Sequence, residues 1–274
     1  MMFRALATAP LFAALLTSCV AGKTGKFPVP AADQIFSGPA ASLAEEACNL
    51  QEGKRLSAEF DADVANTLGI QELSLLDYAV MCQNVEGIRA LLALGANPNH
   101  TDSENRSPVS LAAISPNEVL RAVLSGEISD ALKTGEMGAE ALERAVRAGG
   151  PNGSYDDGWD WSNLRSLLEH GFDPNAGAVE GVITRPALTT MAIGRAEGAA
   201  IMLDHGYSHE LMRLGRSVYG GAYPDDSPAW AERERVIAML QARGVDFDEL
   251  RAEEAARRID EDLPPFEVPD GYFR

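Results

Sequence analysis

Apolar and polar positions in this chain repeat with a long period as well as a short one. Ser74-Leu75-Leu76-Asp77-Tyr78-Ala79-Val80 sets a hydroxyl residue before a mostly apolar run, the pattern of a capped helix start. Ser107-Pro108-Val109-Ser110-Leu111-Ala112-Ala113 stands 33 residues later, and Glu140-Ala141-Leu142-Glu143-Arg144-Ala145-Val146 another 33 later. Ala79, Ala112 and Ala145 therefore share one column, where a small residue lets neighbouring helices approach closely. In a second column, Leu91 to Asn99 matches Leu167 to Asn175, with weaker copies at Met202 to Tyr207 and Met239 to Asp246. Each copy reads as a helix ended by a left-handed glycine and followed by a short extended turn. The predicted elements are helix–turn–helix units. None can bury its apolar face alone, so stacking must supply a continuous core.

The pattern resembles the ankyrin repeat, with its Thr-Pro-Leu-His-x-Ala opening, paired leucines in the second helix and a Gly-Ala-Asp-x-Asn turn. The resemblance covers about residues 41–249 and is most specific at Gly95 to Asn99 and Gly171 to Asn175. It implies an all-α solenoid of about six units with short extended finger turns, working as a protein-binding module rather than an enzyme. In the first unit Asp61-Ala62-Asp63-Val64 replaces the glycine turn, and the third unit loses that register after Leu124. The fourth and sixth units are expanded between their two helices. Residues 251–260 read as a short charged helix, and 263–274 as a Pro-rich extended tail, so that 250–274 follows the repeat domain.

The N-terminus follows a different rule. Arg4 and the apolar run Ala5 to Leu16 have the form of a signal peptide, too short to span a bilayer. Leu16-Thr17-Ser18-Cys19 resembles the lipobox of bacterial lipoproteins, which implies removal of residues 1–18 and lipid attachment at Cys19. The competing expectation is ordinary cleavage near Val20-Ala21. Val20, rather than Asp, follows the cysteine, so the resemblance implies a periplasm-facing outer-membrane anchor over an inner-membrane one. Residues 19–40, rich in Gly, Pro, Ala and Lys, read as a flexible tether.

Composition then narrows the partners. Of 274 residues, 46% are hydrophobic, enough for a core. The formal charge is −18, and −19 once Arg4 is removed with the signal. So acidic a chain repels phosphate backbones and anionic lipid, which argues against nucleic acid and favours a basic protein partner. Two forms of that reading compete: a general envelope adaptor, and an immunity-type protein that blocks a secreted toxin or enzyme.

Candidate chemistry is sparse. His205 and His209 are four apart with Asp204 nearby, but spacing places no third ligand, so no metal is expected. No nucleophile-elbow or phosphate-loop motif occurs, and Gly22-Lys23-Thr24 lies in the tether with no strand before it. No catalytic residue and no cofactor is assigned. Cys48 and Cys82 remain after Cys19, and two outcomes stay open. An oxidising compartment favours a disulfide; stacked helices, roughly 8–10 Å apart, exceed the ~7 Å Cα limit of one.

The aromatic residues carry the most information. Trp159, Trp161 and Trp230 all fall in the two expanded segments, with Tyr155, Tyr219 and Tyr223. Asp156 and Asp157 are interleaved with them. Trp and Tyr anchor interfaces, and acidic neighbours suit a basic partner. These eight residues are the expected partner-binding set. The competing expectation is that the rings fold back and seal the expanded segments. The finger tips offer a second surface, with Thr101, Asp102, Glu104 and Arg106 in one and Val179, Glu180 and Val182 in another.

Overall fold

The 33-residue pattern folds as stacked helix pairs. A computed structural model of the chain describes residues 29–149, 159–192, 195–219 and 228–261. The first unit holds α1 (Ala32–Ile35), α2 (Pro39–Cys48) and α3 (Ala62–Ala65). Then come α4 (Leu75–Met81) with α5 (Val85–Leu94), and α6 (Pro108–Ala112) with α7 (Asn117–Leu124). A short α8 (Asp130–Thr134) precedes α9 (Glu136–Ala148) and α10 (Ser162–Glu169). The series ends with α11 (Arg185–Ala192) and α12 (Ala196–Asp204), α13 (Leu211–Tyr219) and α14 (Pro228–Gln241), and finally α15 (Phe247–Asp260). First helices pack in one row (α2, α4, α6, α9, α11, α13, α15) and second helices in another (α3, α5, α7, α10, α12, α14). This is the expected all-α solenoid of stacked helix pairs. Among the described residues the only strand-like pairings are two isolated bridges in finger turns, Leu68–Ser74 and Val179–Val182.

Local chemistry sets the helix ends. The Ser74 hydroxyl accepts from the Asp77 N–H at 3.1 Å, and the Asp77 carboxylate accepts from the Ser74 N–H at 2.9 Å. Ser107 and Ser110 make the same reciprocal box at 3.1 and 3.0 Å, with Pro108 at the first helical position. At the other ends, Gly95, Gly171, Gly206 and Gly244 take φ of 100°, 82°, 97° and 89°, which a side chain would strain. The alanine column behaves as its size dictates: Ala79, Ala112 and Ala145 are fully buried between first helices. Leu75, Leu76, Ile88, Leu91, Leu120, Leu142, Leu164 and Leu167 join them in one cluster that runs through the stack.

Asparagines tie successive units together. Asn66 donates to the Gly95 carbonyl at 2.9 Å and accepts from the Asn97 N–H at 2.8 Å. Asn99, 33 residues on, does the same with Glu127 and Ser129, and Asn175 with Gly206 and Ser208. At the second-helix starts, Asn84 donates to the Cys48 and Leu50 carbonyls, and Asn163 to those of Ala113 and Ser115. Each side chain satisfies backbone groups that a turn leaves free.

The structure departs from the sequence-based expectations in several places. The expected tether, 19–40, runs too far: Ala32, Ile35 and Phe36 are buried, and Tyr78 Oη donates to the Pro30 carbonyl at 2.8 Å. The folded domain thus begins well before 41. Ala62 to Val64 is helical, as part of α3, and extended Asp61 caps it: its carboxylate accepts from the Val64 N–H at 3.0 Å. The terminal helix starts at Phe247, and Phe247 and Leu250 pack onto the stack, so the boundary at 250 cuts through a docked helix.

Cys48 and Cys82 form a disulfide, with Cα atoms 5.5 Å apart. Interaxial distance overstated the gap because both cysteines sit at helix C-termini, beside an unusually close backbone approach. A Cβ on Gly87 would lie 2.0 Å from the Ala47 carbonyl oxygen, so only glycine permits that contact. Closing a loop across 34 residues of sequence stabilises the fold by about 4 kcal/mol on chain-entropy grounds.

Candidate functional site: the finger edge

The expected aromatic set divides. Trp161 is 4% exposed, and its indole N–H donates to Glu197 at 2.8 Å. Tyr219 is also buried, against Phe247, and its hydroxyl accepts from Arg251 at 3.3 Å. Both were expected as partner anchors, and the structure uses both as core. The reason is that each ring has a packing partner and a polar partner distant in sequence. Trp159 is half-buried; its N–H donates to the Val146 carbonyl at 3.1 Å, and its ring lies 5.7 Å from that of Trp161. The Trp230 ring, also half-buried, carries the Arg233 guanidinium at 4.7 Å. Tyr155, Asp156, Asp157 and Tyr223, and Cys19, the expected site of lipid attachment, lie outside the described residues.

The surface that stays open is elsewhere. Among the described residues six large apolar side chains are exposed: Ile259 lies near the end of α15, and the other five lie on fingers or on α11. They are Leu68 (45%), Ile70 (54%), Val179 (59%), Val182 (55%) and Leu188 (47%). Leu68 and Ile70 sit on the finger after α3, where the Gly69 N–H donates to the Leu73 carbonyl at 2.8 Å. Gln71 and Glu72 there take φ of 59° and 60°, which turns the tip sharply. Val179 and Val182 flank the tip of the finger after α10, and Leu188 follows on α11. Burying an exposed valine or leucine is worth about 1.5–3 kcal/mol, so a partner covering this edge gains substantially.

The fingers are held in shape from the neighbouring unit. His209 Nε2 lies 2.8 Å from the Val179 carbonyl oxygen and 2.9 Å from that of Val182. A ring nitrogen facing two carbonyls carries its proton, so His209 donates there. The Gly181 N–H donates to the Glu210 carboxylate at 2.7 Å. At the earlier finger His100 Nε2 meets the Glu72 carbonyl at 2.6 Å, and the Ser103 N–H donates to the Gln71 carbonyl at 3.2 Å. Within the next finger Asp102 is buried under Arg106, which contacts it at 2.6 Å and reaches Glu104 at 2.7 Å. The tip residues the sequence offered there, Asp102 and Arg106, are therefore structural, while Glu104 stays exposed.

Charge along the edge is mixed. Glu180 and Glu72 are exposed, Arg185 pairs with Glu136, and Arg213 with Glu210. Burial shifts three groups: desolvation pushes Asp77 up to about 6, against its bonds to Ser74, and raises the Tyr78 and Tyr207 hydroxyls above their ordinary value. Asp77 Oδ1 has no hydrogen-bond partner. No group of three His, Cys, Asp or Glu able to hold a metal occurs among the described residues. No described helix is long and apolar enough to cross a membrane. An open groove lined by Arg89, Leu92, Pro98, Ser125, Glu127 and Asp130 lies beside the irregular joint between α7 and α8.

Sequence reasoning named Val179 and Val182 but missed Leu68, Ile70 and Leu188. The available signal was an apolar residue at a turn position, as in Leu68-Gly69-Ile70, where no helix could bury it.

No protein-family description matches the chain, and no curated protein does. Among solved structures it is similar to the human ASB11 ankyrin repeat domain. The two are 18% identical, the match covers 77% of this chain and 85% of that one, and the TM-score is 0.45.

Proposed function

We propose that the chain is a non-enzymatic protein-binding module, tethered to a bacterial envelope by a lipid on Cys19 and facing the periplasm. The observation that carries the binding reading is the exposure of Leu68 and Ile70 on one finger and Val179 and Val182 on another, both braced from neighbouring units, with Leu188 exposed on α11. A rigid, preformed edge loses little entropy on binding. The −18 charge favours a basic partner by steering. Export is supported by the lipobox resemblance and by the Cys48–Cys82 pair, since disulfides persist in oxidising compartments. The favoured lipid anchor is in the outer membrane. An immunity-type inhibitor of a basic secreted enzyme is a narrower form of the same reading, favoured by the charge.

The test is affinity capture from envelope extract with the wild-type chain and a Val179→Asp/Val182→Asp variant. A partner bound by the wild type at low salt, lost at high salt and lost from the variant is the expected result. Equal capture by the variant would sink the finger edge. Capture indifferent to salt would sink the basic partner. Labelled palmitate should enter the wild type and not Cys19→Ser; equal labelling would remove the anchor.

A further inference from the structure

The first unit is built unlike the others. Its second helix, α3, has 4 residues, whereas α5, α7, α10, α12 and α14 have 10, 8, 8, 9 and 14. Its first helix, α2, buries mainly small side chains: Ala40, Ala44 and Ala47 beside Leu43. α2 itself therefore contributes little apolar area to the joint, and the larger buried groups of this unit, Ile35, Phe36 and Phe60, come from outside it. The disulfide joins the C-terminal ends of α2 and α4 at that joint, and Asn84 bridges to Cys48 and Leu50 beside it. Both cysteines are half-buried, so a small thiol can reach them.

We infer that the Cys48–Cys82 bond is a redox clamp that keeps the first repeat unit docked, and that its reduction by a small dithiol releases this unit while the later units stay folded. One thiolate of the dithiol attacks a sulfur of the bridge. The protein S–S bond breaks, a mixed disulfide forms, and one cysteine leaves as a thiolate. The second thiol of the reagent closes its own ring disulfide and expels the other cysteine. Two electrons pass from dithiol to protein, and the two cysteine thiolates take up the two protons the reagent gave up. Without the bridge, α2 is free to leave α4 and α5, uncovering the side on which Ala47 meets Gly87.

The experiment is amide hydrogen exchange on the full chain, with and without dithiothreitol, with alkylation confirming the freed thiols. Exchange in α2 should rise on the order of a hundredfold, while α9, α10 and α12 hold their protection. Reoxidation should restore α2. Unchanged protection in α2 overturns the clamp, because the non-covalent contacts then suffice. A parallel rise in α2 and α12 also overturns it, because the stack then opens as one unit. A Cys48→Ala/Cys82→Ala variant without reductant must reproduce the reduced pattern. If that variant loses protection throughout, the release is not confined to the first unit and the inference fails.

Discussion

The Asn99 carboxamide oxygen accepts the Ser129 backbone N–H at 2.7 Å, across the joint between two units, while its nitrogen donates to the Glu127 carbonyl at 2.8 Å. Asn66 makes the equivalent pair one joint earlier. A repeat stack owes its stability to such interfaces as much as to the units. Asn99→Ala should cost about 1–2 kcal/mol, since two backbone groups lose partners at a partly solvated joint. The urea midpoint should fall at constant slope. A loss below about 0.3 kcal/mol would mean that water replaces the side chain without cost.

Asp77 gives the chain a pH-dependent term of unusual sign. Its carboxyl is fully buried and titrates near 6, against 3.8 for the free residue. The folded state therefore binds the proton more tightly than the unfolded state. This term favours folding fully below 3.8 and is lost as pH rises through 6. The groups facing it are Ser74, which accepts and donates, and the charges of His100 and Asp102. Asp77→Asn keeps an acceptor for Ser74 and removes the charge. Its stability relative to wild type should improve between pH 4 and pH 7 by about 1–3 kcal/mol, read from denaturation at both pH values. A difference independent of pH would show that Asp77 does not titrate in that window.

How far the sequence revealed these features depends on how local their causes are. Ser74, Ser107, Gly95 and Gly171 act within a few residues of themselves, so capped starts and glycine ends were readable directly. The docked α1 was not: Ala32, Ile35 and Phe36 carry the spacing of an apolar face, but Gly38 and Pro39 gave their surroundings the composition of a tether. Trp161 failed for another reason. Its partner Glu197 lies 36 residues away, and an aromatic beside acids reads as an anchor until that partner is placed. The disulfide turned on Gly87, whose missing side chain lets two backbones meet more closely than helix axes suggest. Leu188 fits a helical core pattern and is exposed because α11 turns that side away from the stack.

His209 should shape the finger edge without forming part of it. Its Nε2–H bonds to the Val179 and Val182 carbonyls fix the tip that presents both valines. His209→Ala should cost under about 1.5 kcal/mol globally, because both carbonyls reach solvent. Amide exchange at Val182, whose N–H donates to the Val179 carbonyl at 3.0 Å, should speed up selectively. Unchanged exchange there would show that Gly181 and Glu210 hold the tip unaided.

Trp161 and Gly198 form the tightest test of the buried-aromatic assignment. A Cβ on Gly198 would stand 2.6 Å from the Trp161 ring and 2.7 Å from Thr190 Cγ2, so α12 crosses the indole at a distance only glycine allows. Trp161→Ala removes a buried ring and leaves Glu197 without its indole partner, and should cost about 3–5 kcal/mol. Gly198→Ala overpacks the same contact and should cost about 1–3 kcal/mol. The two changes share one space, so they should not add. The methyl that clashes with the indole partly fills the cavity left by its loss, and the double variant should be more stable than the sum by about 1 kcal/mol or more. Strict additivity in a denaturation cycle would mean that the ring and the helix do not touch, and would return Trp161 to the surface as a free anchor for a partner.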